Sequence, residues 1–221
     1  MIAEVCLIRH GKTRGNLEGR YVGRTDEPLD PSEAARLTVP SGGAPDLIFI
    51  SPMRRCRQTA DILFPGCGMI EIPEFTEIDF GTFEYHTWTE LSGRTDYQTW
   101  IDSGGRLPFP DGESQDGFRR RVLTGFGRMC RMIADFSEDV DENSDGRTVR
   151  AAAVVHGGTI MALLSELGVP RRDYFSWHVE NGCGYIVRFS CGRPCAETPA
   201  DPDAFLPEKV LVKRAVRLAG S

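Results

Sequence analysis

The feature that most constrains this chain is a unit that occurs twice, an apolar strand ending in His-Gly. Val5 to Ile8 run straight into Arg9-His10-Gly11-Lys12-Thr13, and Ala151 to Val155 run into His156-Gly157-Gly158-Thr159-Ile160. Short apolar runs bounded by glycine read as buried strands. In an open α/β sheet, ligands bind beyond the carboxyl ends of such strands. The glycines let backbone approach a ligand closely. Arg9 beside His10 suits an anion held next to a nucleophile or base.

Two further segments add chemistry to that edge. Leu47 to Ile50 lead into Ser51-Pro52 and then Arg54-Arg55-Cys56-Arg57-Gln58-Thr59-Ala60. Ser51 is expected to cap a helix there, with Pro52 at its first position. Arg55 then falls in the first turns, where a helix N-terminus already attracts anions. Phe75 to Glu84 place Glu77 in an aromatic, apolar setting. Burial there raises a carboxyl pKa and makes a proton donor. Two strand–His–Gly units and two helix starts point to one convergent pocket.

These residues resemble the histidine phosphatase superfamily, with its phosphoglycerate-mutase-like fold. The matching positions are Arg9-His10-Gly11 with Thr13 and Asn16, Ser51 with Arg55 and Gln58-Thr59-Ala60, Glu77 with Phe80-Gly81, and His156-Gly157-Gly158. The resemblance implies His10 as nucleophile, becoming a phosphohistidine. It implies Arg9, Arg55 and His156 around the phosphoryl oxygens, and Asn16 as a further hydrogen bond, joined by Thr13 or the loop backbone and by Gly157. Glu77 would protonate the leaving alcohol and then activate water. No metal or cofactor is implied, because the two guanidiniums supply the charge.

A finer resemblance, to α-ribazole-phosphate phosphatases, lies in Gly19 to Leu29, Tyr97 to Trp100, Pro108 to Ser114 and Phe118 to Val122. Gly112-Glu113-Ser114 occurs across many phosphatases of the superfamily and selects no substrate. The chain departs from the pattern at Tyr85-His86, and residues 31–43 are abbreviated. The rival functions are phosphoglycerate-mutase-type transfer to a second hydroxyl and silent binding of a phospho-ligand. The insertion offers only Arg94 and Arg106 as cations, which favours water as acceptor, and the complete set of site residues disfavours silence.

The expected architecture is a single domain, residues 1–221: a three-layer α/β/α sandwich around a mostly parallel sheet, with a cap insertion at about 80–112. Strands are expected near 3–9, 46–50, 69–72, 151–155, 183–190 and 209–213. Helices are expected near 15–18, 52–63, 87–91, 94–102, 114–135, 158–167 and 172–176. Phe118, Val122, Phe126, Met129 and Ile133 recur at helical spacing and read as core, behind a cap at Asp111-Gly112-Glu113-Ser114. In the cap, Tyr85, His86, Trp88, Trp100 and Phe109 are candidates to touch a leaving group.

The 221 residues carry a net charge of −6, which does not suit a nucleic-acid or acidic-membrane partner. A small phosphorylated metabolite is the expected partner, and a monomer or homodimer the expected state. The seven cysteines demand no disulfide. Cys6 and Cys56 read as buried thiols, and Cys191 to Cys195 lack the second pair or histidine that a zinc site needs. Met1 leads directly into the first strand, with no signal peptide or membrane run, so a cytoplasmic location is expected. Glu138-Asp139-Val140-Asp141-Glu142 reads as a solvated acidic loop.

Overall fold

A computed structural model describes residues 1–140, 148–190 and 206–220. Its strands are β1 (Ile2–Arg9), β2 (Leu47–Ile50), β3 (Ile70–Glu71), β4 (Thr148–Val155), β5 (Gly168–Val169), β6 (Cys183–Ser190) and β7 (Val210–Arg217). Its helices are α1 (Arg14–Leu17), α2 (Pro31–Ala34), α3 (Arg54–Leu63), α4 (Trp88–Leu91), α5 (Thr95–Asp102), α6 (Gln115–Val140) and α7 (Gly157–Leu167). The strands form one sheet in the order β3-β2-β4-β1-β6-β7-β5. β1, β2, β3 and β4 are mutually parallel, whereas β6 runs antiparallel to β1 and β7. The expected α/β class and mostly parallel sheet are therefore present.

Side-chain alternation divides the sheet into two cores. Ala3, Val5 and Leu7 of β1, with Phe49, Ala151 and Ala153, pack on α6 and α7. Ile8, Ile48, Ile50, Ala152 and Val154 pack on Cys56, Ala60 and Leu63 of α3. Helices thus cover both faces. The predicted α6 stripe is buried throughout, Phe118 at 1% exposure and Val122, Phe126, Met129 and Ile133 at 0%.

Several local expectations need correction. Helix α3 begins at Arg54 with Met53 as its N-cap and no side-chain cap bond. Ser51 is drawn instead to His156 Nε2, 2.8 Å away. The short α2 was not anticipated: Asp30 caps it through the amides of Ser32 and Glu33, with Pro31 in its first turn. The two-residue β5 and the 3-10 turns Pro73–Phe75 and Gly81–Phe83 also escape the sequence pattern. The segment expected as a helix at 172–176 is a 3-10 turn, Tyr174–Trp177. α6 continues to Val140, so the acidic run starts inside a helix; its Asp141 and Glu142, like Cys191 and Cys195, lie outside the described residues. Cys56 is buried as expected, but Cys6 is only partly so. Its face of β1 borders a cavity of about 610 Å³ lined by residues of the loop between Thr38 and Pro45 and of β7. Among the described residues, no helix is long and apolar enough to cross a membrane.

Candidate active site

The parallel strands deliver their carboxyl ends to one edge. Pairing continues one residue past β1 and β2, with His10 N donating to Val155 O at 3.0 Å and Ser51 N to Val154 O at 3.0 Å. That register sets His10, Ser51 and His156 side by side at the topological break of the sheet, where β4 lies between β1 and β2. The His10 and His156 rings meet edge-on, with centroids 5.1 Å apart.

His10 is held in one tautomer. Its Nδ1 donates to the Gly11 carbonyl at 2.7 Å, and its Nε2 accepts from Arg55 Nε at 3.3 Å. Nε2 therefore carries a lone pair. Burial, then Arg55 and Arg9, hold the His10 pKa well below the usual imidazole value. Burial, then Arg55, His10 and Arg9, do the same to His156. Arg55 is 0% exposed and is anchored by donation to Thr25 O at 2.9 Å and Gly23 O at 2.8 Å. Arg9 donates from Nη1 to Val179 O at 2.8 Å. Its Nε is buried with no hydrogen-bond partner among the described residues. A buried guanidinium N–H left in that state has the capacity to bind an anion.

Glu77 faces this cluster, 8% exposed. Its Oε1 accepts from Ile78 N at 3.0 Å and its Oε2 from Gly158 N at 3.2 Å. Burial raises the Glu77 pKa, and those two amides together with Arg55 and Arg9 pull against it. Gly158 has no room for a side chain: a Cβ there would collide with the Glu77 carboxyl. Arg9, His10, Asn16, Glu77 and Gly157 share the wall of a cavity of about 270 Å³. Arg55 and His156 do not line it; both lie against His10, Arg55 Nε 3.3 Å from His10 Nε2 and the His156 ring centroid 5.1 Å from that of His10.

Asn16 reaches the wall, but Thr13 does not. Thr13 is fully buried and its hydroxyl caps α1, accepting from Asn16 N at 3.3 Å. Of the aromatic candidates, Trp100 and Phe109 line the cavity with Tyr21 and Phe80. Tyr85, His86 and Trp88 do not. Trp88 is 64% exposed, and the Tyr85 hydroxyl is turned away to Glu27 Oε2 at 3.1 Å.

A profile of the histidine phosphatase superfamily (branch 1) matches residues 5–201. The chain belongs to that superfamily. It is 27% identical over 192 residues to the uncharacterized phosphatase PhoE of Bacillus subtilis, an alignment covering 84% of this chain and 88% of the relative. It is 27% identical over 191 residues to the adenosylcobalamin/alpha-ribazole phosphatase of Salmonella typhimurium, covering 80% of this chain and 86% of that protein. The crystal structure of phosphoglycerate mutase from Thermus thermophilus superposes with a TM-score of 0.62 and 29% identity, covering 99% of each chain. The phosphoglycerate-mutase-like fold expected from the motifs is thereby present in this superfamily member.

Some site residues escape sequence reasoning. Asn181 donates to His10 O at 3.1 Å and to Asn16 Oδ1 at 3.2 Å, and Gly182 N donates to Arg9 O at 3.0 Å. The dipeptide Asn181-Gly182 signals a turn before β6 but not which loop it grips. Thr59, one of the family-matching positions, holds the same loop by accepting from Gly11 N at 2.9 Å. Tyr174, Phe175 and His178 close one side of the cavity, and only the path of the chain after β5 brings them there.

Proposed function

We propose that this protein is a metal-independent phosphomonoester hydrolase that acts through a phosphohistidine on a small phosphorylated metabolite. His10 Nε2 attacks phosphorus, the bond to the leaving oxygen breaks, and Glu77 gives that oxygen its proton. Water then attacks phosphorus, the Glu77 carboxylate takes its proton, and the phosphorus–nitrogen bond returns its electrons to Nε2. The Arg55 Nε–H passes from His10 to a phosphoryl oxygen, joining Arg9, His156 and the Gly157 amide at the start of α7. Asn16 adds a donor, and Thr13 shapes the loop that carries it. Charges preset around the oxygens of a transferring phosphoryl group are the main catalytic device for such reactions.

The observation that carries this reading is the opposition of two buried groups whose pKa values are shifted in opposite directions: an imidazole held neutral with Nε2 unprotonated and a carboxyl whose pKa burial raises. The first is the form a nucleophile requires, and the second shift favours the protonated form a general acid requires. Water as acceptor is supported by the insertion, where Arg94 is already paired with Asp96 at 2.6 Å and Arg106 is absent from the cavity wall. The relatives named above make α-ribazole 5′-phosphate the first substrate to try, which would place the protein in cobalamin assembly. Residues 80–112 act as a cap, contributing Phe80, Trp100 and Phe109 to the leaving-group side. Cys6, Cys56, Cys67 and Cys183 are free thiols, the state that a reducing compartment such as the cytoplasm maintains.

The test is phosphate release in EDTA from p-nitrophenyl phosphate, α-ribazole phosphate, 3-phosphoglycerate, a sugar phosphate and phosphotyrosine. Hydrolysis that resists EDTA, with acid-labile label trapped on the protein, is expected. His10→Ala should abolish turnover and still bind phosphate; retained turnover removes His10 as the nucleophile.

A further inference from the structure

Glu77 lies in neither helix nor strand, so no ladder of backbone bonds fixes it. The carbonyls of its segment must still find donors. Arg121, on α6, supplies them. Its Nη1 donates to Glu74 O and Thr76 O, both at 2.8 Å, and its Nη2 reaches Glu77 O at 3.5 Å. The remaining donors hold Glu113 in a fork, Nε to Oε1 at 3.1 Å and Nη2 to Oε2 at 2.7 Å. A guanidinium has five N–H groups, and all five have acceptors here. A lysine has three donors and no fork.

The other residues of the Gly112-Glu113-Ser114 motif serve the same junction. Glu113 N donates to Asp79 O at 3.0 Å. Gly112 lies so close to the turn after Glu77 that a Cβ would stand 2.7 Å from Gly81 N. Ser114 Oγ accepts from Gly117 N at 3.0 Å and so starts the helix that carries Arg121. The Arg121 and Glu113 side chains are 28% and 21% exposed, so their ion pair alone adds little stability. Its value lies in where it puts the backbone.

We infer that Glu113 and Arg121 form a clamp that positions the Glu77 carboxyl for proton transfer to the leaving oxygen. The inference rests on Glu77 being the general acid. Glu113 and Arg121 are positioning residues and touch no substrate.

The leaving group provides the readout. The p-nitrophenolate ion departs without a proton, whereas the alkoxide of an alkyl phosphate such as glycerol phosphate does not. Values of kcat/KM report the first step on both. Glu113→Gln and Arg121→Lys are expected to keep p-nitrophenyl phosphate within about threefold of the parent. On the alkyl ester they should lose about 10- to 100-fold, the scale of a misplaced catalytic group. Equal losses on both esters, or no loss on either, overturn the clamp. Glu77→Gln, measured beside them, should show the same selectivity with a larger loss. If Glu77→Gln spares the alkyl ester, the general-acid reading falls and the clamp with it. If it discriminates and the clamp variants do not, only the clamp falls. Should Arg121→Lys fail to fold, Glu113→Gln, which keeps the size and shape of the side chain, decides alone.

Discussion

The two buried histidines make a pH prediction whose sign can be worked out. In the unfolded chain each imidazole binds a proton below about pH 6.5. In the folded protein burial and the arginines keep His10 and His156 neutral well below that point. On these two groups the unfolded state binds more protons on the acid side, so their contribution to stability rises with pH until about 6.5 and then levels off, while Glu77, with its raised pKa, contributes in the opposite direction above the ordinary carboxyl value. Each histidine contributes a slope of about 1.4 kcal/mol per pH unit below that value. His178, lowered by burial and Arg9, acts in the same direction. Urea denaturation between about pH 5 and pH 6 should show His10→Ala lowering the slope of stability against pH by close to one proton relative to the parent. An unchanged slope in His10→Ala would mean that His10 is charged in the fold. At this scale the sequence is legible wherever a residue follows a strand directly. Arg9, His10 and His156 are placed by the strands before them, and Glu77 by its apolar neighbours. Ser51 was misjudged because its hydroxyl has two uses, as a helix cap or as a partner for His156 Nε2 at 2.8 Å. Only the tertiary fold decides between them.

Elements meet most closely where the turn after Glu77 crosses the start of the Gly112-Glu113-Ser114 motif. Gly81 has φ 53°, and an added Cβ would collide with Pro110 O and stand 2.6 Å from Gly112 N. Gly93 also has positive φ, 86°, but nothing lies within 4 Å of where its Cβ would be. The pair separates backbone strain from steric contact. Gly93→Ala should cost about 1–2 kcal/mol, the left-handed penalty alone. Gly81→Ala adds overpacking against backbone and should cost about 2–5 kcal/mol, read from urea midpoints. Equal costs would show that the crossing gives way easily and does not hold the acid loop. The helices were legible from the sequence to the extent that they carry an apolar stripe. The stripe from Phe118 to Ile133 gave α6 its existence and its buried face. The four-residue α2 and the 3-10 turns are too short to have a period. The turn Tyr174–Trp177 is set by Trp177, which is fully buried, and that anchoring places Phe175 and His178 on the cavity.

At the scale of the molecule, the parallel strands β1 to β4 were legible because each is a short apolar run between glycine or proline signals. The cover of the sheet was less so: the face beside Cys6 is bordered by a cavity lined by β7 and by the loop after Leu37, irregular structure with no period to read. The same sheet frames the candidate site. It buries His10 at 3% and His156 and Arg55 at 0% exposure, while Phe175 on the rim is 67% exposed. Under the proposed mechanism, a phosphoryl group on His10 has buried neighbours behind it and an exposed rim in front. A mutase needs the reverse at the mouth, a dry chamber that keeps its organic acceptor beside the phosphorus. The phosphoenzyme, formed by rapid mixing with p-nitrophenyl phosphate, is therefore expected to decay to inorganic phosphate. Its decay rate should not change on adding 3-phosphoglycerate, and in ¹⁸O-labelled water the phosphate should gain one labelled oxygen per turnover. Faster decay with 3-phosphoglycerate, accompanied by a bisphosphoglycerate free of ¹⁸O, would instead assign the chain to phosphoryl transfer between hydroxyls. The same His10, Arg9, Arg55, His156 and Glu77 serve both outcomes, so this partition is decided by how much water the assembled mouth admits.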